Sequence, residues 1–231
     1  MLLFPVPDVI QKYLRVVNQQ IKGRPVFLIL IVLFCSLSLY SQKYSPVKDL
    51  VEFKQLYAEK SATISSVKCD FEQHKKISMM ENELISKGRF IYKKNNKLRM
   101  EYTKPFEYIF ILNNDKILIK NDQKQNSYST KSNKLYSMVS KLTMECVTGD
   151  VINSKDFDVL VSENALMYKF TLKPRLKSIK SLISEIEVLI GKNDFTVDSI
   201  NMKEESGDNT LLVFSNKRIN LPVADEEFKI N

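Results

Sequence analysis

Hydrophobic and polar residues alternate one by one along much of the chain after residue 65, which is the spacing of half-buried β-strands. In SVKCDFEQ (66–73), Val67, Cys69 and Phe71 alternate with charged residues. The same pattern predicts further strands at 124–131, 157–162, 166–173, 184–190, 194–203 and 210–215, of which 124–131 is short and polar. The chain is therefore predicted to be mainly β.

Two hairpins are predicted after the first strand. The segment GRFIYKKNNKLRMEYTKP (88–105) turns at KNNK (94–97), because Asn tolerates the positive φ of tight turns. The segment YIFILNNDKILIKND (108–122) turns at Asn113-Asn114-Asp115. Alternation in the first hairpin puts Arg89, Arg99 and Glu101 on the face opposite to a set of large apolar side chains, namely Phe90, Tyr92, Leu98, Met100 and Tyr102.

Two other segments have helical spacing. Ser45-Pro46 offers an N-cap and a first-turn proline for a helix over 46–61. Its apolar stripe would consist of Val47, Leu50, Val51, Leu56 and Tyr57. A second helix, ending at Gly149, is predicted from the spacing of Leu135, Met138, Val139 and Leu142. The stretch 175–190 is ambiguous, with helical spacing in its first half and alternation in its second.

The run PVFLILIVLFCSLSLY (25–40) is strongly apolar and uncharged. It follows Lys22 and Arg24 and ends in small residues, which is the layout of a secretory signal peptide. It is also somewhat shorter than the ~20 residues of a membrane-spanning helix. We therefore expect residues 1–41 to be a signal peptide that is cleaved after Ser41, with a retained N-terminal anchor as the alternative. Residues 42–231 would then form one domain, since no linker or repeat divides them.

The N-terminal segment raises two further points. The 24 residues before the apolar run are long for an n-region, so the chain is a candidate for an over-extended start at Met1. Cys35 is not expected to be lipidated, because Phe34 is too bulky for the position before a lipidated cysteine. Cys69 and Cys146 would remain after cleavage. An oxidising compartment permits a disulfide between them, but small buried apolar residues are the favoured interpretation.

Charge narrows the choice of partners. The net charge of +8 falls to +5 when the four basic residues and one acidic residue of 1–41 are removed. Basic residues interleaved with aromatic ones in 88–105 could suit nucleic acid, but an exported protein rarely meets nucleic acid. A mildly positive surface instead suits anionic lipid headgroups or acidic partners.

Sequence motifs for catalysis are absent. The chain has no phosphate-binding glycine loop, dinucleotide fingerprint, G-x-S-x-G or C-x-x-C motif. The single histidine, His74, is expected to be solvated at a polar strand end, and Glu204, Glu205 and Asp208 look like parts of a hairpin tip. No catalytic residue, cofactor or metal site is predicted. The protein is expected not to be an enzyme, and a lipid hydrolase is the enzymatic alternative.

The order of these segments resembles LolA, the periplasmic outer-membrane lipoprotein carrier family, over residues 45–231. That family has a leading helix, an F-x-Q strand, a G-x-hydrophobic hairpin that closes at a proline, a tight turn and a characteristic C-terminal close. The matching positions in this sequence are Phe71 and Gln73, Gly88 and Phe90, Pro105, Asn114-Asp115, and Asn220 with Phe228.

The resemblance implies a fold and a function. The fold is an incomplete, strongly curved antiparallel β-barrel with a helical lid on its concave face. The function is that of a monomeric periplasmic carrier of acylated lipoproteins, which works with an inner-membrane release complex and an outer-membrane acceptor. Alternation and resemblance together predict an apolar lipid cavity, lined by Phe71, Phe90, Tyr92, Leu98, Met100, Phe110, Met138, Val139 and Leu142.

Two departures from the family pattern leave alternatives open. Where the family has a functional arginine that bonds to lid carbonyls, this chain has Lys94, followed by Asn95 in place of a proline. Lys94 is thus the expected lid latch, although a lysine lacks the guanidinium fork and a solvated turn lysine is the alternative. The cargo could also be another envelope lipid, and a non-carrier periplasmic sensor or scaffold on the same fold remains possible.

Overall fold

Twelve strands form one antiparallel sheet in this computed structural model, which describes residues 43–121, 124–130, 141–146 and 148–230. Their order across the sheet is β1-β8-β9-β10-β11-β12-β2-β3-β4-β5-β6-β7. The strands are β1 (Ser45–Pro46), β2 (Ser66–Lys76), β3 (Leu84–Lys93), β4 (Lys97–Lys104), β5 (Tyr108–Asn113), β6 (Lys116–Asn121), β7 (Gln125–Ser129), β8 (Phe157–Glu163), β9 (Met167–Pro174), β10 (Ile183–Gly191), β11 (Val197–Glu204) and β12 (Asn209–Ile219). Within the described residues β1 and β7 do not pair, so the sheet is open, and the mainly β prediction is confirmed.

Asparagines make the two predicted hairpin turns. Asn95 and Asn96 have φ values of 72° and 55°, and Asn114 has a φ of 54°, all in the left-handed region. The β3–β4 register then pairs Phe90 with Met100 across the two strands. At Gly88 a Cβ atom would overlap the Glu101 carbonyl oxygen, so this close approach of the strands requires glycine.

Helix α1 (Leu50–Ala62) begins later than predicted. Its N-cap is Asp49, whose carboxylate accepts hydrogen bonds from the backbone N–H groups of Val51 (2.8 Å) and Glu52 (2.9 Å). The prediction of an N-cap at Ser45-Pro46 was wrong, because these two residues form β1 and pair with β8. A carboxylate caps this end more strongly than a hydroxyl, since the helix N-terminus carries partial positive charge.

The buried face of α1 also differs from the predicted stripe. Leu50 and Val51 are exposed, Tyr57 is buried as predicted, and Phe53, which was not in the predicted stripe, is buried as well. Phe53 lies 4.6 Å from the ring of Tyr168, and Tyr57 lies 5.2 Å from the ring of Phe170, measured between ring centroids. Burial of two large aromatic rings outweighs burial of Leu50 and Val51, so the aromatic pair sets the rotation of the helix.

The described residues contain further helical segments after α1. Residues 141–146 and 148 are helical, and Gly149 follows them with a φ of 84°, as expected for a helix stop. The ambiguous stretch 175–190 divides into a helical turn, Lys177–Lys180, and strand β10. The described residues also contain 3₁₀ turns at Asp150–Asn153 and Asp225–Phe228. None of the helices in the described residues is long and apolar enough to cross a membrane.

Two hydrophobic clusters share the face of the sheet against which α1 packs, called here the inner face. The α1 cluster joins α1 to strands β8–β10, and its members are Phe53, Tyr57, Leu142, Cys146, Val151, Ile152, Phe157, Val161, Tyr168, Phe170, Leu172, Ile179, Ile183, Ile186, Val188 and Ile190. The β2–β6 cluster consists of Ile64, Val67, Cys69, Phe71, Phe90, Tyr92, Leu98, Leu112, Ile117 and Met144. The cross-strand pair Ile200–Leu212 connects the two clusters, because one residue packs on each.

The C-terminal residues 220–230 cover part of the opposite, outer face. Phe228 is fully buried there, together with Val223, Ile111 and Leu118. Polar contacts fasten the segment, including a hydrogen bond of 3.1 Å from Asn113 Nδ2 to the Phe228 carbonyl oxygen.

Candidate functional site

An apolar recess lies on the inner face where β2, β3, β11 and β12 meet the helical residues 141–146. It contains about 430 Å³ of space free of atoms, its mouth included. The recess is narrow and partly open, and its mainly apolar wall suits hydrocarbon. Its lining residues are Ile64, Val67, Cys69, Phe90, Thr143, Thr196, Val197, Ile200 and Phe214.

The predicted cavity residues fall into three groups. Six of them lie together in or against the β2–β6 cluster: Phe71, Phe90, Tyr92, Leu98, Met100 and Phe110. Among these six, Phe90 borders the recess, while Met100 and Phe110 are only partly buried. Leu142 packs in the α1 cluster instead. Met138 and Val139 lie outside the described residues, as do Leu135 and the predicted signal peptide 1–41.

The sequence analysis missed the far wall of the recess. Val197 and Ile200 come from β11, and Phe214 comes from β12. Alternation in these segments already indicated apolar faces. What alternation could not show is that β12 pairs with β2, a strand more than a hundred residues earlier in the chain.

A paired group of charges borders one side of the recess. Lys217 Nζ lies 3.0 Å from an Asp194 carboxylate oxygen and donates to Thr196 Oγ1 at 2.7 Å, and it also forms an ion pair with Asp198. Burial alone would raise the pKa of Asp194, but hydrogen bonds from Thr196 and Lys217 hold that pKa below its usual value. Each charge has a partner, so this group forms a fixed polar border beside the apolar wall.

The two described cysteines behave as apolar residues. Cys69 and Cys146 are both buried and free, so no disulfide joins them. Burial raises the pKa of each thiol to about 12, so both stay protonated at neutral pH. This confirms the interpretation of small buried residues, and Cys69 contributes an apolar wall to the recess.

Lys94 lies at the junction between the β3–β4 turn and α1. Its Nζ donates a hydrogen bond of 2.8 Å to the carbonyl oxygen of Ala62, the last residue of α1. The last carbonyl groups of a helix lack intrahelical partners and carry partial negative charge, so they favour a cation. Asn220 strengthens the same junction, because it accepts from Ser65 N at 2.7 Å and donates to the Thr63 carbonyl oxygen at 3.0 Å.

The remaining polar candidates have structural contacts. His74 is partly exposed, with Nε2 2.8 Å from Glu72 and Nδ1 3.2 Å from Glu83. Glu204 forms an ion pair with Lys75 at 2.7 Å, which ties the predicted hairpin tip to β2. Among the described residues no group of three or more potential ligands could hold a metal ion.

An open antiparallel sheet with a helix over an apolar recess defines a binding protein of the open-barrel class. A family model described as "Outer membrane lipoprotein carrier protein LolA" matches residues 62–231. Because this match covers most of the chain, the protein belongs to the LolA family, a lipid- and lipoprotein-binding family of the carrier type. No curated protein matches the sequence.

Several solved structures resemble the chain. A LolA superfamily protein from Nitrosomonas europaea is 12% identical, with 77% of this chain and 97% of that chain covered and a TM-score of 0.42. The lipoprotein LppX from Mycobacterium tuberculosis is 14% identical, with 77% and 99% covered and a TM-score of 0.42. MucB in the Pseudomonas aeruginosa MucA/MucB complex is 10% identical, with 78% and 60% covered and a TM-score of 0.45. The family assignment rests on the family model.

Proposed function

We propose that this protein is a periplasmic carrier that holds lipoprotein acyl chains in the inner-face recess and moves them from the inner to the outer membrane. The observation that carries the proposal is the apolar recess beneath helical cover in a chain of the LolA family. Exposing an acyl chain of ~15 methylene groups to water costs on the order of 12 kcal/mol, at ~0.8 kcal/mol for each group. Unaided transit through water is therefore negligible, and a carrier is needed.

The narrowness of the recess makes it the closed form of this site. An acyl chain can enter only when the cover moves away from the sheet. Met144, in the helical residues 141–146, packs on the β2–β6 cluster and would have to separate from it. Met100 and Phe110, which are partly buried at the same cluster, can then adapt to the chain, since flexible apolar side chains fit varied hydrocarbon shapes.

Lys94 acts in this proposal as a latch on the empty, closed form. Its hydrogen bond to Ala62 joins a charged donor to a helix end, but the side chain is exposed, which limits the bond to about 1 kcal/mol. That free energy biases the lid equilibrium by roughly fivefold, enough to favour release without preventing loading. Lys94→Leu should leave folding and loading intact and slow the transfer of cargo to acceptor membranes. Lys48→Leu, at another exposed lysine, is the control, and equal transfer rates in both variants would eliminate the latch.

The carrier function is tested by what the protein binds. Protein purified from the cell envelope should contain acyl-chain lipid or acylated lipoprotein when analysed by native mass spectrometry. Val197→Glu puts a carboxylate into the partly exposed wall of the recess and should lower the bound fraction about tenfold or more. Val213→Glu lies on the outer face, where Val213 pairs with Glu72, and should bind like the wild type.

The lipid found on the purified protein distinguishes the proposed carrier from the alternative functions. Acyl chains on a lipoprotein support the proposed cargo, while a different lipid in the recess identifies a carrier of another envelope lipid. A wild-type protein that neither contains nor accepts any lipid would overturn the carrier function and favour a sensor or scaffold on this fold.

A further inference from the structure

Exposed apolar side chains are concentrated at one end of the sheet. This end, called here the loop end, carries the β2–β3, β4–β5, β9–β10 and β11–β12 connections and lies opposite the end that holds Lys94 and Ala62. Thirteen large hydrophobic side chains are exposed in the described parts of the chain, and seven belong to this end: Met79, Met80, Leu84, Ile85, Phe106, Leu176 and Leu182.

Hydrogen bonds join the connections of the loop end into one surface. Ser78 of the β2–β3 connection donates from its backbone N–H to the Asp208 carboxylate, in the β11–β12 connection, at 2.9 Å. Glu205 of that same connection donates to the carbonyl oxygen of Leu182, in the β9–β10 connection, at 3.2 Å. Pairing of Lys87 with Lys104 brings the β4–β5 connection beside the start of β3. The exposed apolar side chains of these connections therefore have fixed relative positions.

The exposed fractions of these apolar side chains at the loop end are unusually large for their residue types. Met79 is 93% exposed and Phe106 is 81% exposed. Large apolar side chains clustered on a surface usually mark a site of interaction with a protein or a membrane. Here they project from separate loops with polar residues between them. A bilayer interface can accept such side chains one at a time, whereas a stable protein interface needs about 800 Å² of continuous contact on each partner.

The charged side chains at the loop end indicate whether its partner is anionic or cationic. The β9–β10 stretch KPRLKSIKSL (173–182) has four basic residues and no acidic one. Arg175 pairs with Asp158 at 2.7 Å. In the described residues Lys173, Lys177 and Lys180 form no ion pair and are exposed next to the exposed Leu176 and Leu182. The other three connections do contain acids, namely Glu81, Glu83, Glu107, Glu205 and Asp208, so the cationic side of this end is the β9–β10 connection.

We propose that the loop end docks on an anionic lipid bilayer. Met79, Phe106, Leu176 and Leu182 enter the headgroup region, and the lysines of 173–182 pair with lipid phosphates. Docking in this orientation turns the end that holds Lys94 away from the membrane surface. The proposal requires only this surface and does not depend on whether the inner-face recess carries lipid.

Vesicle sedimentation of the exported protein tests the docking surface. The wild type should bind phosphatidylglycerol-containing vesicles more strongly than pure phosphatidylcholine vesicles. The double variant Lys177→Gln/Lys180→Gln should lose about 25-fold in affinity for the anionic vesicles, since each lysine near such a surface contributes a factor of roughly five. Met79→Ser/Phe106→Ser should lose about tenfold on both vesicle types. The matched controls Lys48→Gln/Lys60→Gln and Leu160→Ser/Leu166→Ser change exposed residues elsewhere and should bind like the wild type.

A fluorophore reports the orientation directly. Cys69 and Cys146 are buried, so a single exposed cysteine, introduced as Phe106→Cys or as Leu160→Cys in a Cys35→Ser background, can be labelled selectively. Quencher groups on the lipid acyl chains should quench the label at position 106 and leave the label at 160 bright. This contrast decides the proposal whether or not residues 25–40 remain attached. Equal quenching at both positions, or no binding of wild type to anionic vesicles, would overturn it and leave a protein partner as the explanation of the exposed tips.

Discussion

The α1 cluster and the β2–β6 cluster occupy the same face of one sheet, yet they are covered differently. In the α1 cluster, five side chains of β9 and β10 have no exposed surface: Phe170, Leu172, Ile186, Val188 and Ile190. They lie under the aromatic pair of α1, Phe53 and Tyr57. At the β2–β6 cluster, Met100, Tyr102, Phe110 and Ile119 stay partly exposed in the described part of the chain.

This difference in burial suggests that one cluster mainly stabilises the fold and that the other can bury a ligand. A fully covered apolar side chain contributes its whole transfer free energy to folding, while a partly covered one keeps apolar surface that a ligand can bury. Under the proposed function, the fully buried side chains of β9 and β10 stabilise the closed fold, and the β2–β6 cluster gains its full cover from hydrocarbon.

The largest expected contrast is between phenylalanines of the two clusters. Phe170→Ala, in the fully covered α1 cluster, should lower the free energy of unfolding by about 3–5 kcal/mol. Phe110→Ala, at the partly covered cluster, should lower it by about 1–2 kcal/mol because less apolar surface is lost from the folded state. Urea unfolding of both variants measures the difference. Equal losses would remove the distinction between the clusters.

The second prediction tests whether the backbone of β3 and β4 can shift as readily as the partly exposed side chains of the β2–β6 cluster. Gly88→Ala should destabilise the protein by about 2–3 kcal/mol, since the added Cβ overlaps the Glu101 carbonyl oxygen and lies 2.7 Å from the Phe71 ring. Gly191→Ala, beside the α1 cluster, brings the new Cβ 3.0 Å from the Asp194 carboxylate and 3.5 Å from that of Asp198. Asp194 would need to move by only a few tenths of an ångström, so the cost should be below about 1 kcal/mol. Thermal unfolding compares the two. If Gly88→Ala is as stable as the wild type, the paired backbones of β3 and β4 can move apart as easily as the side chains can move.

Asn220 links the two halves of the inner face, because it bonds to the chain where α1 ends and β2 begins. Asn220→Gly keeps the left-handed φ of 59° accessible and removes the hydrogen bonds to Thr63 and Ser65, so it should lower stability by about 1 kcal/mol. Asn220→Ala adds backbone strain and should lose about 1 kcal/mol more. Urea unfolding checks both, and indistinguishable variants would mean that strain plays no part at this position.

The smallest effect concerns the outer face behind the β2–β6 cluster. Hydrogen bonds from Lys93 and Lys97 lower the pKa of Asp225 to about 2. The folded pKa thus lies below the unfolded value of about 4, so the stabilisation is present above pH 4 and is lost as the pH falls through 2. Asp225→Asn should flatten this part of the Tm profile, with a modest change because the pair is exposed. Overlapping acid profiles of the wild type and the variant would contradict this role.

Local chemistry explains which features were predictable. The hairpin at 94–97 followed from asparagines that tolerate positive φ, and β2 followed from the alternation of Val67, Cys69 and Phe71 with charged residues. Tyr57 was predicted correctly, but the start of α1 and the burial of Leu50 and Val51 were wrong. Phe53 was missed because the ring that it packs on, Tyr168 of β9, lies more than a hundred residues away. No local pattern contains that contact.

The candidate site shows the same limit. Phe90 was identified because it lies on an alternating strand that also resembles the family. Ile200 also lies on an alternating strand, while Val197 lies beyond a register shift between β10 and β11. Their place opposite Phe90 depends on the pairing of β12 with both β2 and β11. Spacing within one segment indicates which face is apolar. It does not indicate which distant strand supplies the other wall.

The unpaired margins of the sheet have a mechanical consequence. In a closed barrel, strand number and stagger fix the circumference, and widening the interior would break hydrogen bonds between strands. Here the two margins are β1, only two residues long, and the polar β7, and in the described residues no ladder connects them. The circumference of the curved sheet can therefore change when β1 and β7 move relative to each other. Every hydrogen bond between neighbouring strands can stay intact during this movement. Under the proposed function, such a change would let the same set of strands accept hydrocarbon tails of different length and number.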